Sequence, residues 1–154
     1  MESRDAVGMP FPPPLTVTLF GVGGGVLEWL WPTAFTLRAG VSWAGIVLVA
    51  LGVVLVLLAI VALRRVGASP DPRVGVAALA KGGVYRLGRN PIYLGMLLAH
   101  LGAGLWLDSV WIAASSLLAW AVLQRTIVAR EEAYLAARFP AEYAAYVRRV
   151  RRWF

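Results

Sequence analysis

The sequence contains no cysteine and only one histidine, His100, among its 154 residues. Disulfides and thiolate metal sites are therefore excluded, and a zinc site, which needs several Cys or His ligands, is not expected. Charged residues are also scarce, at 15% against about 25% in a typical soluble domain. Because a chain of this size has little interior, we expect lipid to cover part of the 60% of residues that are hydrophobic.

The charges that are present are mostly positive, giving a net charge of +7. The arginines adjoin apolar runs. We therefore expect membrane lipids with anionic headgroups as partners, and no nucleic acid.

Four apolar runs, at residues 15–31, 41–63, 91–107 and 109–128, predict membrane-spanning helices. The second run has no charged residue over its whole length and exceeds the roughly 20 residues that a span needs. Residues 1–14 form a polar, proline-rich segment without the pattern of a cleaved secretory signal. Residues 15–154 are therefore predicted to form one all-α integral-membrane domain.

The C-terminal segment from Pro140 to Phe154 has aromatic and aliphatic residues at helical spacing, with arginines between them. This pattern is typical of an amphipathic helix that lies on an anionic membrane surface. Six Lys or Arg residues fall within residues 64–89 and seven within residues 125–152, whereas the predicted opposite side carries only Arg38. The positive-inside rule then predicts cytoplasmic termini, and we expect a bacterial inner (plasma) membrane.

Two clusters of polar and aromatic residues lie at this basic side. The first reads Gly-Val-Tyr-Arg-Leu-Gly-Arg-Asn-Pro-Ile-Tyr-Leu-Gly over residues 83–95, and Asn90 with Pro91 predicts the start of the third helix there. The second begins with Glu131-Glu132 and continues through Leu135, Phe139 and Glu142-Tyr143 to Tyr146.

Together these clusters give the pattern G-x-Y-R-x-x-R-N-P-x-Y-x-G, followed about 35 residues later by E-E-x-x-L-x-x-x-F-x-x-E-Y-x-x-Y. The pattern resembles the isoprenylcysteine carboxyl methyltransferase and phospholipid methyltransferase superfamily over residues 81–154, and the first two spans match only in being apolar. The resemblance implies an integral-membrane methyltransferase that binds S-adenosylmethionine at the cytoplasmic ends of its last helices. Asn90 replaces the histidine of the isoprenylcysteine enzymes, which disfavours a prenylcysteine substrate.

The residue chemistry agrees with that implication. The amide groups at the start of the third helix can bind the cofactor carboxylate, together with Arg86 or Arg89. Glu131 or Glu132 can accept hydrogen bonds from the ribose hydroxyls or pair with the ammonium. Tyr85 and Tyr93 can line the adenine or the sulfonium. The expected cofactor-binding residues are Tyr85, Arg86, Asn90, Pro91, Tyr93, Glu131, Glu132 and Tyr143, and the expected catalytic residues are Arg89, Asn90 and Tyr93.

The acceptor is expected to be an amphipathic or lipidated molecule that enters from the bilayer. His100 is interpreted as a buried, hydrogen-bonded histidine, too deep to act on a headgroup. Two other functions stay open: an NADPH-dependent membrane reductase of the sterol reductase type, and a membrane protein without enzymatic activity. The Glu131-Glu132 pair disfavours the reductase, because the 2′-phosphate of NADPH needs a basic pocket.

Overall fold

The computed structural model describes residues 12–33, 39–71 and 76–153, except for the side chains of residues 39–41. The rest of the N-terminal segment, Arg38, Arg73 and Phe154 lie outside the described residues. The described chain is all-helical, as predicted. Its helices are α1 (Pro13–Leu30), α2 (Ala39–Arg65), α3 (Pro91–Trp106), α4 (Val110–Arg138) and α5 (Pro140–Val147), with a short 3-10 turn at Gly83–Arg86 before α3.

Helices α2 and α3 approach each other closely because glycines face each other at two levels. A Cβ atom built on Gly95 would lie 2.6 Å from the carbonyl oxygen of Gly52, and one on Gly102 would lie 2.6 Å from that of Gly45. Small residues at matched positions let helix backbones approach closely in a membrane, where van der Waals packing rather than the hydrophobic effect drives helix association. This contact fixes the start of α3, where the first motif cluster lies, against α2.

Helices α3 and α4 form a tight hairpin. Asp108 makes the turn with a positive φ of 54°, and the Ser109 side chain caps α4 by accepting a hydrogen bond from the Ile112 amide. The Ser109 hydroxyl also donates to Glu28 at 2.6 Å, and the Thr33 hydroxyl donates to the same carboxylate at 2.7 Å. This network ties the end of α1 to the beginning of α4, at the end of the bundle opposite the two motif clusters.

Two of the described helices, at Ser42–Arg65 and Val110–Arg138, are long and apolar enough to cross a membrane. Helix α3 is shorter, with 16 residues, and α1 contains two prolines and Glu28 within 18 residues. Large apolar side chains on α2, among them Trp43, Leu51 and Leu57, are more than half exposed. A continuous apolar surface of this kind is expected to contact lipid rather than water.

Helix α4 extends beyond the predicted fourth span. It continues through a π-helical turn at Leu123–Val128 and ends at Arg138, so Glu131 and Glu132 lie on the same helix as the apolar segment. A π-turn inside an α-helix changes the direction of the residues that follow it, and such turns are frequent at functional sites.

The predicted extension of the C-terminal helix to Phe154 is wrong. Helix α5 ends at Val147, and residues 148–153 form an irregular strap against the turn before α3. The Arg89 amide donates to the carbonyl of Arg151 at 3.0 Å, and the Arg89 guanidinium donates to that of Val150 at 3.0 Å. These tertiary hydrogen bonds replace the helical ones that the amphipathic spacing predicted.

Candidate active site

The two motif clusters meet in one cavity. The end of α2, the loop after it, the start of α3, the last turns of α4 and helix α5 line this cavity, which is open to solvent on one side. The structure brings together eight of the nine residues expected from the sequence, which are Tyr85, Arg89, Asn90, Pro91, Tyr93, Glu131, Glu132 and Tyr143. The remaining one, Arg86, is exposed and faces a neighbouring groove.

Glu132 holds the cavity wall together through two arginines. Arg89 donates from Nε and Nη2 to Oε1 of Glu132, at 3.2 and 2.6 Å. Arg152 of the strap also contacts both carboxylate oxygens, with its Nε 3.1 Å from Oε1. The side chains of Arg89 and Glu132 are only 11% and 15% exposed. This carboxylate is therefore neutralised by the protein itself and acts as a clamp between α3, α4 and the strap.

Glu131 has different surroundings. Its Oε2 accepts a hydrogen bond of 2.7 Å from the Tyr93 hydroxyl, and no Lys or Arg of the described residues forms an ion pair with it. Because it lines the cavity, it presents a carboxylate without a protein counter-charge to whatever enters. An enclosed carboxylate of this kind is costly unless a ligand of opposite charge compensates it or the group takes up a proton.

Asn90 occupies the N-cap position of α3, as predicted, but its side chain makes no capping hydrogen bond. Its Nδ2 donates to the carbonyl of Arg152 at 2.9 Å instead. The cap interpretation of this side chain is therefore wrong, since a contact with the strap takes the place of the local one. Pro91 follows as the first helical residue, as predicted.

Three tyrosines supply neutral hydroxyl groups around the cavity. Burial raises the pKa of Tyr143 to about 12 and also raises the pKa values of Tyr85 and Tyr146, so all three remain protonated near neutral pH. Tyr146 donates to the carbonyl of Tyr85 at 2.6 Å and fixes the 3-10 turn. The buried hydroxyl of Tyr143 has no hydrogen-bond partner within the described chain, and it can therefore bind a polar ligand group.

An apolar groove adjoins the cavity on the side of α1. Pro70, Ile92 and Tyr93 line both spaces. The groove continues between the beginning of α1 and the faces of α2 and α3, along residues that include Pro14, Val56, Ile60 and Met96. The cavity thus has a polar side at Glu131 and Tyr143 and an apolar side toward the helix bundle.

His100 lies away from this cavity. It is 7% exposed, and its Nε2 is 2.9 Å from the Ser115 hydroxyl on α4. The interpretation of a buried, hydrogen-bonded histidine is confirmed. Sequence reasoning assigned no site role to Ser69, Val76 and Leu79, which also line the cavity; no motif marked them, since their loop has no helical period.

Residues 41–142 match the phospholipid methyltransferase family. The cobalt-zinc-cadmium resistance protein CzcN of Cupriavidus metallidurans is 37% identical over 76 residues, which is 49% of this chain and 35% of that protein, so the match spans about a third of the relative. An uncharacterized protein of Haemophilus influenzae is 37% identical over 62 residues, 40% of this chain and 98% of its own length. No solved structure matches. With two thirds of its residues matched, the chain belongs to the phospholipid methyltransferase family.

Proposed function

We propose that the protein transfers a methyl group from S-adenosylmethionine to a lipid or lipid-like acceptor at the cytoplasmic face of the membrane. The observation that carries the proposal is the Glu131 carboxylate, which has no cationic partner among the described residues and lines a cavity that continues into an apolar groove. A cation suits one side of the cavity, and an apolar chain fits on the other. Membership of a membrane methyltransferase family supports this combination.

The residues of the cavity fit this cofactor. S-adenosylmethionine supplies a methyl group that its sulfonium already activates, together with an ammonium and a ribose diol. Glu131 suits either cation or the two ribose hydroxyls, and the partnerless hydroxyl of Tyr143 suits a further polar group. Methyl transfer requires alignment of donor and acceptor more than an acid–base pair. Glu131 and Tyr143 would therefore bind and orient the cofactor, without transferring protons.

The acceptor is proposed to arrive from the bilayer along the groove between α1, α2 and α3. The residues that line it are apolar apart from Asp71 and Tyr93, so an acyl or prenyl chain can lie there while its polar head reaches Tyr93. Tyr93 belongs to both the groove and the cavity. A water-soluble acceptor has no apolar chain and would leave the groove empty.

The two other functions are less well supported. A reductase would have to place the 2′-phosphate of NADPH, and Glu131 would repel that dianion. A membrane protein without activity offers no reason for a carboxylate and a phenol hydroxyl that line one cavity and lack, respectively, a cationic and a hydrogen-bond partner within the described chain.

The test uses the purified protein and its membranes. We expect saturable binding of S-adenosylhomocysteine in calorimetry, and radiolabelled methyl groups from S-adenosylmethionine to appear in the total lipid extract. Met96→Trp, which would fill the groove, should lower label in lipid while leaving S-adenosylhomocysteine binding unchanged; Leu117→Trp, on the exposed face of α4, is the matched control. Tight NADPH binding without binding of S-adenosylhomocysteine, or label confined to soluble products, would contradict the proposal.

We also propose four spans, with α1 and α3 crossing the membrane beside α2 and α4. Residues 65 and 148 should then lie on the cytoplasmic side and residue 107 on the other. Since the chain has no cysteine, Arg65→Cys, Leu107→Cys and Arg148→Cys each introduce one reactive thiol at an exposed position. In intact cells a membrane-impermeant maleimide should label only the Leu107 variant, and all three after permeabilisation. Labelling of residue 65 or 148 in intact cells would rule out this arrangement.

A further inference from the structure

A second depression lies at the same end of the molecule, outside the cavity. It runs between the 3-10 turn and α5, and its charged residues are Lys81, Arg86, Glu142 and Arg149. Tyr146 lines both spaces, and its hydrogen bond to the Tyr85 carbonyl makes it part of the wall between them. We refer to this depression as the basic groove.

The basic groove has more positive charge than its own carboxylate can balance. Lys81 and Glu142 form an open ion pair at 3.2 Å, with side chains 47% and 56% exposed. Arg86 and Arg149 are exposed and have no acidic partner among the described residues. Three cations against one carboxylate therefore leave two guanidinium groups available to an anion.

We propose that the basic groove binds the phosphate of an anionic phospholipid headgroup. Guanidinium groups match phosphate oxygens in both charge and geometry. Ala145 and Val150 give the groove an apolar part, which suits the glycerol carbons next to a lipid phosphate and offers nothing to inorganic phosphate. The groove also lies at the end where α2 terminates in Arg64 and Arg65, the end proposed to face the cytoplasmic headgroups.

This inference uses the proposed membrane orientation but does not depend on methyl transfer, so binding tests it separately. The purified full chain in a neutral maltoside detergent is titrated with dioleoylphosphatidylglycerol, and bound lipid is counted by native mass spectrometry. The variant is Arg86→Gln with Arg149→Gln. The matched control is Arg125→Gln with Arg138→Gln, which removes the same charge from exposed positions outside the groove.

We expect the groove variant to bind phosphatidylglycerol roughly 10-fold more weakly or worse, as the loss of charge-assisted hydrogen bonds predicts, and the control to bind like the unaltered protein. The control variant should still bind S-adenosylhomocysteine, because neither of its two residues lines the cavity. Equal weakening in both variants, or none in the groove variant, would overturn the proposal. Displacement of the lipid by equimolar inorganic phosphate would assign the groove to a soluble anion and would also overturn it.

Discussion

Replacing Glu131 with glutamine is expected to weaken the binding of S-adenosylmethionine by roughly 10- to 100-fold, the usual effect of losing a charged hydrogen bond in an enclosed site. The same change should leave the thermal unfolding midpoint unchanged or raise it, because it removes a carboxylate that forms no ion pair with the residues that the structure describes. Glutamine keeps an oxygen that can accept the hydrogen bond from Tyr93. Isothermal titration calorimetry and a thermal unfolding scan on the same preparation measure both effects.

The comparison of two ligands then locates the charge that Glu131 contacts. S-adenosylhomocysteine retains the ammonium but lacks the sulfonium, so a larger loss for S-adenosylmethionine places Glu131 near the sulfonium, and equal losses place it near the ammonium or the ribose. Glu142→Gln is the control, since Glu142 is exposed and outside the cavity. Unchanged binding of both ligands to Glu131→Gln would refute a cofactor contact at this residue.

The convergence of the two motif clusters could be predicted from the sequence, because it depends on local rules. Asn90-Pro91 predicts a helix start, and Asp108 predicts a turn between two apolar runs. A hairpin of two helices returns the chain to its starting side, so residues near 90 and near 131 come together. The structure confirms this hairpin.

The division of roles between Glu131 and Glu132 could not be predicted. Adjacent residues on a helix point about 100° apart, so the two carboxylates have different neighbours although both line the cavity. Which of them is neutralised depends on Arg152, 20 residues further along the chain, which contacts Glu132. Tertiary contacts of that kind have no local signal, and Asn90 illustrates the same point, since its capping preference yields to a hydrogen bond with the strap.

The strap itself shows where the amphipathic pattern failed. The spacing of apolar residues near the C-terminus favours a helix, but Gly88 allows the strap to contact the turn before α3 instead. A Cβ atom on Gly88 would collide with the carbonyl oxygen of Trp153, so only glycine lets the strap lie so close to the turn. The indole of Trp153 also donates to Gln124 at 2.9 Å. The contacts of Trp153 with Gly88 and Gln124 outweigh the helical preference of this arginine-rich segment.

Because Glu132 joins this strap to the rest of the site, truncating it should affect both folding and cofactor binding. Glu132→Ala leaves Arg89 largely buried without its carboxylate and releases Arg152. Removing one partner of a buried ion pair typically costs about 3–5 kcal/mol, and we expect a clearly lower thermal unfolding midpoint together with weak cofactor binding. Lys81→Ala is the matched control, since it breaks an exposed pair worth at most about 1 kcal/mol.

Limited trypsin digestion separates release of the strap from general unfolding. The strap carries Arg148, Arg149 and Arg151, and its backbone is held by hydrogen bonds from Arg89 and Asn90. In Glu132→Ala, cleavage after these arginines should become much faster at a temperature where the helices remain folded by circular dichroism. In Lys81→Ala the cleavage rate should equal that of the unaltered protein. If Glu132→Ala has the same unfolding midpoint and the same cleavage rate as Lys81→Ala, Glu132 does not hold the strap. The assignment of Glu132 to the clamp and of Glu131 to the cofactor would then be wrong.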